Sequence, residues 1–339
     1  MNWQANFREL PGLRKPILAA AGFFLMNPQT GLAAENCPND PPLQQVRSEA
    51  HYADSHGSII DPVKLHESMV EIMPLRRFVT DASERADSSS RADQQCAYEM
   101  MLSWAKAGAM TEKPATPPGN RSQERFTIAL NIIALKLKAQ GFDMSPLRGW
   151  LDKINMLVID VFERHPVVDN LGVWSGVAAA SYAAVSGNAD AKRYADSVWG
   201  RAIANVRPDG FVDTELRRAG RALGYHAYYL SALVTLHAFR NALGEPLTAS
   251  ERSAIKRLAD RVNSSLCDHS AMAQAAGAEQ QTENLRPIEF SPIVTFDKDL
   301  GLGEPITGRC TPEGVPSTDP ILGGNFARTA AMLAQLQRH

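Results

Sequence analysis

The sequence predicts an all-α protein, because apolar residues recur at three- and four-residue intervals along most of the chain and runs of alternating β-branched residues are nearly absent. Seven or eight amphipathic helices of about 15–25 residues, joined by short turns, favour paired antiparallel helices in a ring or a bundle. Among 339 residues, 44% are hydrophobic and 21% charged, which is an ordinary composition for a globular protein with a large core.

Each predicted helix depends on its own apolar stripe, because residues three and four apart share one helix face. The stripes of the first four are Leu65, Met69 and Ile72 in 65–86; Cys96, Met100 and Trp104 in 92–109; Phe126, Ile133 and Leu137 in 123–138; and Leu147, Leu151, Ile154 and Val158 in 146–164. Prolines at 114–118 predict a loop before the third helix. The pattern continues in 173–186, 190–206, 213–243 and 248–266.

The chain changes character at residues 271–320, where polar residues, glycines and prolines dominate. This composition predicts either a long ordered flap or a partly mobile region. The apolar pattern returns in 321–336, which predicts a final docking segment. No Gly/Ser-rich or Pro-rich linker divides the middle of the chain, so one main domain over 35–339 is the simpler interpretation.

The first residues are typical of a secretory signal. Arg8, Arg14 and Lys15 precede an apolar run at 17–26, and small residues follow at 31–34. We therefore predict a signal peptide over 1–34 and a periplasmic or secreted mature protein. The alternative is a buried N-terminal helix.

Removal of residues 1–34 takes away three basic residues and one acidic residue, so the formal net charge changes from −2 to −4. A mildly acidic protein is not a general nucleic-acid binder. No other stretch is apolar enough to cross a membrane, so the mature form is expected to have no membrane span.

Four cysteines predict two disulfides in an exported chain. Of the three possible pairings we favour Cys37–Cys96 with Cys267–Cys310, because each bridge then joins an irregular end to the helical body. Free buried thiols are the alternative. The cysteines have no CxxC spacing and no nearby histidines, so we expect neither a metal site nor any other cofactor.

The block 209–230 places Arg218, Arg221 and Tyr225 on one stripe of the helix predicted over 213–243. Two guanidinium groups beside a phenol suit a groove that holds an acidic ligand and moves a proton. The alternative is a solvated helix face on which the arginines pair with Asp213 and Glu215.

A second cluster, at 168–174, contributes an amide and an indole. Asn170 is a candidate for ligand binding, or it could cap the helix predicted nearby. Trp174 is a candidate for sugar contact, or a core aromatic.

In these two blocks the chain resembles the alginate lyases of polysaccharide-lyase family 5 and their broader superfamily. The resemblance is dense from Asp209-Gly-Phe through Arg221-Ala-Leu to Tyr225-His226, and it is thinner elsewhere. It implies an (α/α) toroid, or incomplete barrel, whose groove binds an anionic polysaccharide and cleaves it by β-elimination without a metal. The family's Asn-Asn-His-x-Tyr-Trp motif is matched at Asn170 and Trp174, but Leu171 replaces its histidine and Val173 its tyrosine.

The resemblance implies specific roles for the matched residues. Arg218 and Asn170 neutralise a uronate carboxylate, and Tyr225 acts as the acid and possibly also as the base. Nearby arginines are expected to favour the ionised form of Tyr225. The residues assigned to substrate binding are Trp174, Arg221, His226 and Tyr229. His226 could instead be structural and Tyr229 a packing residue, while His51 and His56 are further candidates for the rim of the groove.

The predicted function is a polysaccharide lyase that cleaves polymannuronate (alginate) or polyglucuronate, because H5 and O4 lie on the same ring face in these sugars and one residue can serve both proton transfers. Leucine cannot transfer a proton, so Leu171 argues against substrates that need two opposed groups. One alternative is a catalytically silent protein that binds an exopolysaccharide, partnered with its export or biosynthesis machinery. A hydrolase using Asp169 and Asp213 is a third possibility.

Overall fold

The computed structural model describes residues 37–38, 40–55, 57–165, 168–300, 310 and 312–338, and these are mostly helical. The predicted signal peptide lies outside these residues. The thirteen described α-helices are α1 Pro62–Glu71, α2 Met73–Ala86, α3 Arg91–Ala107, α4 Pro117–Ala139, α5 Arg148–Glu163, α6 Asn170–Ser186, α7 Ala189–Ala204, α8 Asp213–Leu216, α9 Ala222–Ala242, α10 Ala249–Cys267, α11 Ser270–Ala276, α12 Ser291–Leu300 and α13 Phe326–Leu336. The all-α prediction is confirmed.

Short polar caps and left-handed glycines set the ends of these helices. The Asp169 side chain accepts a hydrogen bond from the Gly172 N–H at the start of α6, and Thr248 with Glu251 forms a capping box on α10. The α4 helix begins at Pro117, inside the stretch predicted to be a loop, because proline fits the first position of a helix. These caps explain why sequence periodicity located the helices but not their first residues.

Helices α6 and α9 form the centre of the fold. Helix α6 packs against α4, α5, α7 and α9, and nearly every residue of it is buried. A Cβ atom at Gly176 would lie 2.8 Å from Val198 on α7 and 3.0 Å from Leu236 on α9. The glycine therefore permits the close approach of three helices, and the two central ones supply the rigid side of the site described below.

The helix predicted over 213–243 is interrupted. It begins as α8, passes through a 3₁₀ turn at Ala219–Arg221, and resumes as α9. Ala219 has a left-handed φ of 48°, which is unusual for a residue with a side chain. The helical stripe proposed for Arg218, Arg221 and Tyr225 is therefore wrong, although these residues still come together.

Hydrogen bonds from the segment after α11 explain this interruption. The Gln281 N–H donates to the Gly220 carbonyl (2.7 Å), and the Gln280 amide donates to the Ala219 carbonyl (3.1 Å) and accepts from the Leu223 N–H (2.9 Å). These contacts satisfy backbone groups at the start of α9 and stabilise a turn that local sequence preference does not predict.

The segment predicted to be irregular, 271–320, is partly helical. It contains most of α11, all of α12 and a strand, Thr318–Asp319, that pairs antiparallel with Gly324–Asn325. The chain then ends in α13, where the docking segment was predicted. Residues 301–309 and 311 lie outside the described part of the chain.

Both favoured disulfides are present. Cys37 is bonded to Cys96 and Cys267 to Cys310, with Cα–Cα distances of 5.6 and 5.2 Å. The alternative of free thiols is wrong. Among the described residues, every helix is too short or too polar to pass through a bilayer.

Candidate active site

Two tyrosines from opposite parts of the chain meet at the site. The hydroxyl oxygens of Tyr52 and Tyr225 lie 3.0 Å apart and share a hydrogen bond, and the Arg221 guanidinium donates to the Tyr52 hydroxyl at 2.8 Å. Tyr225 lies on the first turn of α9, whereas Tyr52 belongs to the N-terminal loop, residues 51–61. We call Tyr52 and Tyr225 the tyrosine pair.

The N-terminal loop has a hairpin-like fold. Tyr52 forms an antiparallel bridge with Ile60, and the Asp54 carboxylate accepts hydrogen bonds from the Ser58 and Ile59 N–H groups. Gly57 turns the chain with a left-handed φ of 67°, and a Cβ atom there would lie 3.3 Å from the Arg218 guanidinium. The loop can therefore approach Arg218 closely enough to cover the site. His56, a sequence candidate in this loop, lies outside the described residues.

Both arginines of the motif contact the Tyr225 ring. The guanidinium carbon of Arg218 lies 4.6 Å from the ring centroid and that of Arg221 lies 5.2 Å from it. Arg218 also pairs with the Asp169 carboxylate at 3.6 Å. The cluster predicted from sequence is thus assembled, through the 3₁₀ turn and not through a continuous helix.

The two phenols differ in acidity. Burial raises the pKa of Tyr225, and the adjacent Tyr52 adds to this, which together outweigh Arg221 and Arg218. Burial acts to raise the pKa of Tyr52 too, but the Arg221 charge and the hydrogen bonds from Tyr225 and Arg221 bring it below its ordinary value. Arg221 and Arg218 do favour the phenolate of Tyr225, as expected, but burial and Tyr52 outweigh them, so it is the pKa of the partner tyrosine, Tyr52, that is lowered overall.

Asn170 is held by a buried carboxylate. Glu215 is fully buried, and its oxygens accept hydrogen bonds from the Asn170 backbone N–H (2.9 Å) and from its side-chain amide (2.8 Å). Asn170 is only 1% exposed, and its amide oxygen has no hydrogen-bond partner among the described residues. Capping of α6 is done by Asp169, so the capping alternative for the Asn170 side chain is wrong.

Burial raises the pKa of Glu215 to about 7, and the neighbouring Asp169 charge acts in the same direction. The bonds from Asn170 and the charge of Arg218 oppose this shift. A carboxyl group that titrates near neutrality therefore sets the orientation of the Asn170 amide, because an ionised Glu215 can only accept hydrogen bonds.

Two residues assigned to substrate binding are parts of the core. His226 is fully buried: its Nε2 accepts from the Val212 N–H (3.0 Å), its Nδ1 donates to the Ala222 carbonyl (2.8 Å), and burial lowers its pKa to about 4. Tyr229 is also fully buried and donates to the Ala202 carbonyl at 2.9 Å. Both assignments are wrong, because neither side chain reaches solvent.

Trp174 lies directly behind the site. It is 2% exposed, and its ring centroid lies 5.2 Å from that of Tyr228, a half-buried residue one turn after Tyr225. The indole therefore supports Tyr228 and does not itself face the solvent. Its assignment to direct sugar contact is wrong for this arrangement of the groove.

Sequence reasoning missed Tyr52 as a reactive group and Glu215 as a partner of Asn170. Tyr52 is 173 residues from Tyr225 and sits in a loop without periodicity, although the loop had been noted for its histidines. His51, beside it, is half-buried, and burial with the surrounding arginines lowers its pKa. The described residues contain no cluster of three potential metal ligands.

Comparisons with known proteins find similarity to lyases that act on polysaccharides. A family model described as alginate lyase matches residues 147–272, which include Asn170, Arg218 and Tyr225. A polysaccharide lyase of Stenotrophomonas maltophilia is 28% identical over 307 residues, covering 87% of this chain and 90% of the relative. An alginate lyase of Pseudomonas syringae pv. tomato is 27% identical, covering 71% of this chain and 67% of the relative.

Solved structures share the fold. Alginate lyase A1-III complexed with a tetrasaccharide matches with a TM-score of 0.72 at 18% identity, covering 88% of this chain and 86% of that one. The structure of alginate lyase A1-III from Sphingomonas species A1 matches with a TM-score of 0.66 at 17% identity, with coverages of 89% and 88%. The fold class is therefore an (α/α) toroid, as expected from the resemblance.

Helix pairing, the arginine–tyrosine cluster and these matches define a polysaccharide lyase of the toroid type. The chain is similar to the alginate lyase superfamily, and it has Leu171 at the position where the resemblance places the motif histidine.

Proposed function

We propose that this protein cleaves a polyuronate by metal-independent β-elimination, with the tyrosine pair performing both proton transfers. The hydrogen bond between Tyr52 and Tyr225 carries the proposal, because it joins one phenol whose pKa is lowered to one whose pKa is raised. Such a pair holds a base and an acid side by side, which general acid–base catalysis requires.

In the proposed reaction, the Tyr52 phenolate removes the C5 proton of a uronate. The electron pair of that C–H bond forms the C4–C5 double bond, and the C4–O4 bond breaks. Tyr225 donates its proton to the departing O4. The Tyr52 phenol then returns a proton to the Tyr225 phenolate across their 3.0 Å contact, which restores the starting state.

Neutralisation of the uronate carboxylate falls mainly to Arg218 and Arg221. Both side chains are partly exposed, and a guanidinium can bind a carboxylate through two parallel hydrogen bonds. Asn170 can contribute only through the amide hydrogen that Glu215 does not use, because one is already donated to that carboxylate. We propose that the arginines act directly and that Asn170 assists at the floor of the site.

The adjacent positions of the two hydroxyl groups support same-face elimination. A base and an acid 3.0 Å apart reach one side of a sugar ring, which fits mannuronate and glucuronate, whose H5 and O4 share a face. Leu171, which packs partly buried against the core, provides no opposed base, because a leucine side chain can neither accept nor donate a proton. We therefore propose polymannuronate or polyglucuronate as the substrate, ahead of polyguluronate.

The test is an ultraviolet assay for the unsaturated uronate product, with polyglucuronate, polymannuronate, polyguluronate and hyaluronan as substrates. We expect Tyr225→Phe to lower kcat by about 10³-fold, since general acid–base catalysis typically contributes 10²–10⁴-fold. Tyr98→Phe is the matched control, because within the described part of the chain the Tyr98 hydroxyl donates its hydrogen bond to the Asp143 carbonyl and contacts no residue of the site.

Cleavage of polyguluronate alone would refute the same-face mechanism. If the wild type binds these polymers but releases no unsaturated product, the protein is instead a silent polysaccharide-binding member of the superfamily. The predicted leader supports action in the periplasm or outside the cell, which fractionation of the full-length protein tests. Partnership with exopolysaccharide machinery stays a prediction.

A further inference from the structure

Helix α4 buries a carboxyl group that has no part in the proposed reaction. Glu124 is fully buried, and neither of its oxygens has a hydrogen-bond partner among the described residues. A carboxyl group that is buried without partners is costly for a protein to keep, so its position calls for an explanation. The residues that it faces supply one.

The packing of α4 on α6 fixes the register of the two helices. The Asn131 side-chain amide of α4 donates to the Ala178 carbonyl (3.0 Å) and to the Ser181 hydroxyl (3.1 Å) of α6. About two turns later, Lys138 of α4 donates to the Val185 carbonyl of α6 at 2.6 Å. The contacts advance in the same direction along both chains, so these two helices run parallel.

This register places Glu124 against the start of α6. Glu124 lies seven residues before Asn131 and therefore on the same face of α4. The same step back along α6 leads from its contacts with Asn131 to residues 171–174. The buried carboxyl group thus faces the first turn of α6, which carries Asn170 at one end and Trp174 at the other.

Two polar atoms of that turn are also without partners. The Asn170 amide oxygen, an acceptor, and the Trp174 indole N–H, a donor, are buried and form no hydrogen bond within the described part of the chain. A protonated carboxyl group can donate through its O–H and accept through its carbonyl oxygen, whereas a carboxylate can only accept. These unpaired groups therefore match one another only while Glu124 keeps its proton.

The surroundings of Glu124 favour that proton. Burial raises the pKa of Glu124 well above its ordinary value, against the charge of Arg125; the Asp169 charge adds to the rise, and Arg121 opposes it. The other titratable groups that act together with Glu124 are two phenols on α7 and α9, Tyr194 and Tyr228, and burial raises the pKa of each. Both phenols are therefore uncharged at neutral pH and do not draw the proton away.

We propose that Glu124 is a positioning residue for Asn170, and that as a neutral acid it donates to the Asn170 amide oxygen while Glu215 holds the amide nitrogen. The inference rests on the proposed function, because that function gives Asn170 its task at the uronate carboxylate. An amide held at both ends keeps one orientation, with its second N–H left for the substrate. Ionisation of Glu124 removes the donor and places an acceptor against an acceptor, which releases Asn170.

Glu124→Leu and Glu124→Gln separate this role from packing. Leucine fills the volume but cannot donate, so kcat on the preferred polyuronate should fall about 10-fold or more, while thermal stability is kept because an unpaired buried carboxyl group is removed. Glutamine donates through its amide and should keep kcat within about 3-fold of the wild type. The matched control is Thr127→Val, which removes another buried, unpaired hydroxyl from α4 and should leave kcat unchanged. A stable Glu124→Leu protein with wild-type kcat overturns the inference.

The pH profile adds a readout that packing does not affect. In the wild type, kcat/KM should fall on the alkaline side as Glu124 loses its proton, whereas Glu124→Gln should lack this limb because an amide does not titrate. Loss of the Tyr225 proton contributes to the alkaline side of both proteins equally. Identical alkaline limbs in the two proteins contradict the role of Glu124.

The closing experiment needs no turnover. The side-chain amide NMR signal of Asn170, identified by its loss in Asn170→Ala, should shift in Glu124→Leu but not in Thr127→Val, and it should move with pH in the wild type more than in Glu124→Gln. A wild type that releases no unsaturated product from any polyuronate ends the proposed function, yet this signal still reports on Glu124. A wild type that cleaves, with an Asn170 signal that is the same in Glu124→Leu, keeps the lyase and removes the inference.

Discussion

The tyrosine pair joins two regions that differ in how they are held: a helix of the core and a loop at the surface. Tyr225 starts α9, whose next turns are fixed by the buried side chains of His226 and Tyr229. Tyr52 sits in the N-terminal loop, which is held by a short bridge and by Asp54, and which exposes 56% of Ile59 and 37% of Ile60. One half of the reactive pair thus belongs to the core and the other half to a surface loop, so they should respond differently to mutation.

Among the variants that test this difference, Tyr52→Phe is expected to have the largest effect on activity. If Tyr52 is the base, removing its hydroxyl should lower kcat by about 10²-fold or more while stability changes little, because the loop contributes few buried contacts. Steady-state kinetics together with thermal melting of the same preparation measure both quantities. A variant with wild-type kcat would show that Tyr225 performs both transfers alone.

Glu215→Gln tests the core region of this comparison, through the dependence of the free energy of unfolding on pH. Because the folded pKa of Glu215, about 7, lies above its unfolded value, its protonated form favours folding: that contribution is complete below about pH 4.5 and is lost as pH rises through 7. A glutamine cannot titrate, so stability of the variant should vary less between pH 5 and pH 8, by on the order of 2–3 kcal/mol.

Chemical denaturation of wild type and variant at both pH values measures this difference. Parallel pH dependences in the two proteins would contradict a carboxyl group that titrates in this window. The activity of the same variant is informative as well, because glutamine can donate to the Asn170 amide oxygen and so alter which face of that amide meets the substrate.

The smallest effect is expected from Tyr229→Phe. It removes the hydroxyl bonded to the Ala202 carbonyl and should cost about 1–2 kcal/mol of unfolding free energy, with kcat/KM unchanged. Urea unfolding and the ultraviolet assay give the two numbers. If kcat/KM falls by more than the lower stability accounts for, Tyr229 contacts the substrate in the groove, and its removal from the site is contradicted.

Helical periodicity was sufficient to predict most of the fold. The stripes of α2, α3, α5 and α7 bury one face each, and that burial is what the spacing of residues such as Phe78, Trp104 and Ile154 reports. The break between α8 and α9 could not be predicted in this way. It depends on Gln280 and Gln281, about 60 residues further along the chain, and local preference carries no information about such partners.

Only part of the candidate site could be predicted from the sequence, for a similar reason. Arg218, Arg221 and Tyr225 were found because they are close in sequence and match a family motif. Tyr52 was not assigned a role, since its contact with Tyr225 exists only in three dimensions. His226 and Tyr229 were assigned wrongly because neighbours on a helix point in different directions, and the sequence does not say which direction is the groove.

The brace formed by Gln280 and Gln281 has a consequence for how this protein can be divided. The stretch matched by the family model ends at residue 272, eight positions before the first of these glutamines. A fragment cut to that match would keep the motif arginines and Tyr225 but lose the backbone bonds that shape the turn between Arg218 and Arg221. The orientation of these guanidinium groups therefore depends on residues that lie outside the stretch matched by the family model.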